Sequence, residues 1–155
     1  MAKIELGKNV PDFSLPATGG DTFTLSEAAG KALVVYFYPK DMTSGCTRES
    51  QDFRDLHPQF HKAGVRIVGI SRDSLASHEK FKSKEQWPFA LLSDPEERVC
   101  KLFDVIREKS LYGRKYLGID RSTFLIDKRG VLRHEWRKVK VPGHAEEVLD
   151  AARAL

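Results

Sequence analysis

The chain's apolar pattern predicts an α/β fold, a mixed central sheet with helices on both faces. Three observations carry this. Short β-branched and aromatic runs recur along the 155 residues. Segments with apolar residues at helical spacing alternate with them. Near the end, two strand-like runs follow each other across a short turn, which adds antiparallel strands to an otherwise parallel sheet.

Taken in order, "FSLPATGGDTFTL" reads as two short strands around a Gly19-Gly20 turn. "ALVVYFY" is a continuous apolar run, a strand buried on both faces, and Pro39 stops it. A helix follows with Phe53, Leu56, Phe60 and Ala63 at helical spacing, ending at Gly64. "VRIVGIS" is the next buried strand. "DSLASHEKFKSKEQ" is a helix with Ser74 as N-cap. "FALLSD" is a short strand. "PEERVCKLFDVI" reads as a helix with Pro95 in its first turn and Val99, Leu102, Phe103 and Ile106 on one face. "RSTFLID" and "VLRHEWR" form a hairpin across "KRG", and "GHAEEVLDAARAL" is an amphipathic helix. The length fits one domain over 1–155.

Composition excludes several classes. Hydrophobic residues at 41% and charged residues at 31% describe an ordinary globular core. Two cysteines do not make a disulfide scaffold. The start has no signal-peptide run, and the longest apolar run, Ala32 to Tyr38, falls far short of the roughly 20 residues of a membrane span. A soluble cytoplasmic protein is expected. The net charge is 26 − 22 = +4, with bases and acids interleaved, so a solvated basic face is expected rather than a nucleic-acid site.

Cys46 stands between a buried strand and a helix. With Thr43 as N-cap, Ser44, Gly45 and Cys46 are the first helical residues, and the Thr43 hydroxyl is expected to accept from the Cys46 amide. The sulfur then lies at the positive end of the helix, which favours thiolate over thiol. A small buried residue is the plainer reading, but Ser44, Gly45, Thr47 and Arg48 around it are not an apolar run. Thioredoxin-type exchange needs a second cysteine three residues on, where Glu49 stands. Cys46 and Cys100 match no zinc spacing, and His57 and His61, with Pro58 between them, read as a polar helix face. No metal or cofactor is expected. His78, at helical spacing with Leu75 and Phe81, reads as a packed histidine, and Trp87 as loop packing.

"YFYPKDMTSGCT" resembles the active-site loop of the peroxiredoxins, with Pro39, Thr43 and Cys46 at that family's spacing. "PDFSLP", "CTRESQDFRD", "PFALLSD" and "KSLYGRKYLGIDRSTFLID" extend the likeness along the chain, to the bacterioferritin comigratory protein or Q-type branch. The resemblance implies a thioredoxin-like fold and a thiol-dependent peroxidase for hydrogen peroxide and organic hydroperoxides. It makes Cys46 the peroxidatic cysteine, oxidised to sulfenic acid. Arg121 would hold thiolate and peroxide, Thr43 would hydrogen-bond both, Pro39 would shield the sulfur, and Glu49 would orient loop or arginine contacts. A peroxide sensor or chaperone-like interaction protein on the same fold is the alternative.

The chain departs from that pattern. Ser44 stands where the branch often has proline, and Met42 where it often has asparagine. Gln51 occupies a position where many members carry a resolving cysteine, and the next helix has none. Cys100 is the remaining candidate, and its apolar neighbours favour a structural role. A one-cysteine mechanism is therefore expected, in a monomer, with a thioredoxin-like or glutathione-type reductant.

Overall fold

The computed structural model describes residues 3–155. Nine strands form: β1 (Ser14–Ala17), β2 (Asp21–Thr24), β3 (Ala32–Phe37), β4 (Val65–Ser71), β5 (Ala90–Ser93), β6 (Ile106–Leu111), β7 (Arg114–Ile119), β8 (Ser122–Ile126) and β9 (Leu132–Trp136). Four helices accompany them: α1 (Ser44–Lys62), α2 (Leu75–Glu85), α3 (Arg98–Leu102) and α4 (His144–Arg153). Seven strands make one sheet in the order β2-β1-β5-β4-β3-β8-β9. β3, β4 and β5 run parallel and the other neighbours antiparallel, so the sheet is mixed as expected. The architecture is α/β, with α3 packed on one face of the sheet and α1, α2 and α4 on the other.

Strand periodicity divides the core in two. From β3, Leu33, Val35 and Phe37 face one side, with Val99, Leu102 and Phe103 from α3 and its flank. Val34, Tyr36 and Tyr38 face the other, with Phe53 and Phe60 of α1, Phe81 of α2 and Val148 of α4. Cys46 lies in the second layer and Cys100 in the first.

Two elements differ from expectation. The helix read from Pro95 begins only at Arg98 and has five residues. Glu97 sits at φ +63, outside helical space, and the Asp94 carboxylate accepts from the Cys100 amide at 2.7 Å. Asp104 at φ +56 ends the segment, and Ile106 enters a strand instead of the helix face. The second difference is the β6–β7 ribbon, a separate two-stranded sheet that the apolar pattern did not mark. Most of its side chains are partly or fully exposed, so it carries no burial alternation.

Candidate active site

The site forms where β3 ends and α1 begins, at the carboxyl end of the parallel strands. Pro39, half-buried, follows β3 and cannot donate to the ladder. Thr43 is the N-cap of α1, with extended backbone, and the Thr47 amide donates to its carbonyl at 2.9 Å. Its hydroxyl does not cap the Cys46 amide. It donates to the Lys40 carbonyl at 2.9 Å, three residues back into the loop instead of forward into the helix. Thr43 is exposed.

Cys46 is the third residue of α1 and only 1% exposed. Sheet register brings Arg121 to it. β8 runs antiparallel to β3 with Ser122 opposite Phe37, so the residue before β8 lies beside the last residues of β3 and the start of α1. From there the Arg121 Nη2 donates to Cys46 Sγ at 3.3 Å, and Nη1 donates to Glu49 Oε1 at 2.6 Å. A positive group and the α1 N-terminus thus converge on one sulfur. Burial works against the Arg121 cation, but Glu49 and Cys46 outweigh it and hold its pKa above the ordinary value.

Glu49 is 1% exposed. Burial pushes its carboxyl up to about 7, against the pull of Arg121. Its second oxygen, Oε2, is buried with no hydrogen-bond partner. Two packing constraints complete the site. A Cβ on Gly45 would stand 3.2 Å from Arg121 Nη2, a tight contact on the guanidinium that glycine avoids. Below Cys46, the buried Tyr36 and Ser50 hydroxyls bond at 2.8 Å and tie α1 to β3.

Cys100 belongs elsewhere. It is fully buried, its amide bonded to Asp94, and burial followed by the Asp94 charge pushes its thiol strongly up. It lies in the core layer on the sheet face away from Cys46. His57 and His61 stack with centroids 6.1 Å apart on α1, and Trp87 packs in the core as read. One cluster escaped sequence reasoning. Asp41 and His78, 37 positions apart, meet as a buried pair at 2.7 Å beside the Cys46 loop. No periodicity links residues so far apart in the chain.

Residues 6–135 match the AhpC/TSA family. The chain is similar to Peroxiredoxin Bcp of Xanthomonas campestris, 51% identical over 99% of this chain and 96% of that protein. It is 50% identical to Peroxiredoxin Bcp of Bacillus subtilis, over 98% and 97% respectively. Among solved structures it resembles the Xanthomonas campestris bacterioferritin comigratory protein, studied as trapped intermediate and ligand complexes for its alkyl peroxide reduction activity. That likeness has a TM-score of 0.90 and 50% identity, covering 99% of this chain and 98% of the other.

Proposed function

Because this chain belongs to the AhpC/TSA family and is a peroxiredoxin, a thiol-dependent peroxidase, we propose that Cys46 reduces hydrogen peroxide and alkyl hydroperoxides in a one-cysteine cycle. The observation that carries this is the Arg121 guanidinium 3.3 Å from Cys46 Sγ at the head of α1. The thiolate attacks one peroxide oxygen. An S–O bond forms, the O–O bond breaks, and its electron pair leaves on the alkoxide or hydroxide, which takes a proton from solvent. Sulfur becomes sulfenic acid. Arg121, charged at every working pH, stabilises the negative charge as it moves from sulfur to the leaving oxygen. Pro39 limits water at the sulfur, Thr43 offers its free lone pairs to the peroxide, and Glu49 orients Arg121.

An external thiol closes the cycle. It attacks the sulfenic sulfur, expels water and leaves a mixed disulfide, and a second thiol then frees Cys46. Gln51, an α2 without cysteine and the remote, unreactive Cys100 support this over an internal disulfide. A thioredoxin-like or glutathione-type donor fits. Among the described residues no helix is long and apolar enough to cross a membrane.

The test is peroxide consumption with a thiol donor, together with intact mass after one equivalent of peroxide. Wild type and Cys100→Ser turn over and gain one oxygen, and excess peroxide yields sulfinic acid at Cys46. Cys46→Ser is inactive. Wild-type consumption by Cys46→Ser would remove Cys46 as nucleophile. A dominant Cys46–Cys100 disulfide with loss of turnover in Cys100→Ser would end the one-cysteine assignment.

A further inference from the structure

The loop between β3 and α1 delivers Cys46, and its backbone is unusual. Met42 adopts φ +62, a left-handed conformation that a residue with a Cβ keeps only when its surroundings impose it. Lys40, Met42 and Thr43 are exposed, yet Asp41 among them is 5% exposed. Its side chain is fully engaged. Oδ1 accepts from the Tyr38 hydroxyl at 2.6 Å, and Oδ2 accepts from Ser77 Oγ at 2.8 Å and faces His78 Nδ1 at 2.7 Å. Its amide donates to Asp73 Oδ2 at 2.9 Å, and Asp73 is itself held by the Ser71 hydroxyl.

His78, in the first turn of α2, is 0% exposed. Its other ring nitrogen, Nε2, lies 2.8 Å from the Leu92 carbonyl of β5. Nε2 faces a carbonyl and therefore donates, and the short Nδ1–Oδ2 contact holds one proton between His78 and Asp41. Losing one partner of such a buried pair leaves the other without its hydrogen bond, so the pair is held as a unit.

We propose that Asp41 and His78 are positioning residues for the reaction at Cys46. The pair clamps the strained loop to α2 and β5, and so fixes Pro39 and Thr43 where a peroxide must lie. The proposal rests on the peroxidase reading. It gives His78 a role where its spacing alone suggested only packing.

The test follows three quantities in one series: the peroxide rate constant, alkylation of Cys46 by iodoacetamide, and hydrogen exchange of amides 40–47. In Asp41→Ala and His78→Ala the peroxide rate falls about 10²-fold, the cost of misplacing reacting groups by about 1 Å. Alkylation, which needs only the thiolate beside Arg121, stays near wild type, and the loop amides exchange faster. Asp41→Asn retains most of the rate, because its carbonyl still accepts from Tyr38 and its amide can donate to a neutral His78. Should the alanine variants fail to fold, Ser77→Ala removes one donor to Asp41 and shows a smaller loss of the same pattern. Wild-type peroxide rate and exchange in a folded Asp41→Ala overturn the clamp. A parallel fall of alkylation and peroxide rate also overturns it, as general loosening. If wild type consumes no peroxide, the peroxidase reading fails instead, and exchange alone judges the clamp: faster in Asp41→Ala supports it, unchanged overturns it.

Discussion

Arg121 serves two acceptors with one planar fork, Cys46 through Nη2 and Glu49 through Nη1. This geometry needs a guanidinium, since an ammonium cannot hold both partners at fixed angles. Arg121→Ala removes the donor and leaves Glu49 buried without its partner. Peroxide reduction is expected to fall about 10²- to 10³-fold, as when a preorganised donor is removed from a charge-bearing site. Alkylation of Cys46 at neutral pH slows as well, because the thiolate loses its neighbouring cation. Arg121→Lys recovers only part of both. Rates for Arg121→Ala equal to wild type in stopped-flow peroxide and iodoacetamide assays would leave Arg121 a merely structural residue. Neither contact could be found from spacing, because Arg121 stands 75 residues from Cys46. Only the family motif singled Arg121 out. The roles proposed for Pro39 and Glu49 likewise rest on the motif.

At the scale of elements, the first turn of α1 carries a conflict that Gly45 resolves. Glycine inside a helix costs roughly 1 kcal/mol relative to alanine. Here a Cβ would meet Arg121 Nη2 at 3.2 Å. Gly45→Ala is therefore expected to leave thermal stability unchanged or slightly higher while peroxide reduction falls, because the guanidinium is pushed off the sulfur. Melting temperature and rate measured on one preparation check it, and a full rate in a stabilised variant would show that Arg121 has room to adjust. Elements with strong apolar patterns were legible: β3, β4, α1 and the Ser74 cap of α2, whose hydroxyl accepts from the Ser77 amide at 3.2 Å. Elements shaped by single side chains were not. Asp94 and the left-handed Glu97 shorten α3, and the Lys40 carbonyl takes the Thr43 hydroxyl from its cap position. The β6–β7 ribbon turns at Tyr112 and Gly113, both at positive φ, a turn signal without the apolar strands that usually flank it.

Across the whole molecule, two buried groups on one sheet face make stability respond to pH in opposite directions. Glu49 of α1 has its carboxyl raised by burial from 4.5 to about 7. His144 of α4, whose Nε2 meets Thr123 Oγ1 at 2.8 Å, is lowered by burial from 6.5 to about 4. For Glu49 the folded state binds more protons between 4.5 and about 7, so its contribution is fully present below 4.5 and is lost as pH rises through 7. For His144 the unfolded state binds more protons between about 4 and 6.5, so its contribution is present above 6.5 and is lost as pH falls towards 4. His57, lowered by burial and by His61, adds to the second trend. Asp12, Asp104 and Asp127 are all lowered from 3.8 and act below this window. The opposing slopes partly cancel in the wild type between pH 4.5 and 6.5. Glu49→Gln keeps an acceptor for Arg121 but cannot titrate, so its stability is expected to rise with pH across that window more steeply than wild type. His144→Asn leaves Glu49 dominant, and its stability falls as pH rises. Urea midpoints at several pH values for the three proteins decide the matter. If Glu49→Gln shows the wild-type slope, Glu49 is already ionised throughout that window, and Arg121 shares its charge between two full anions at every pH where the enzyme works.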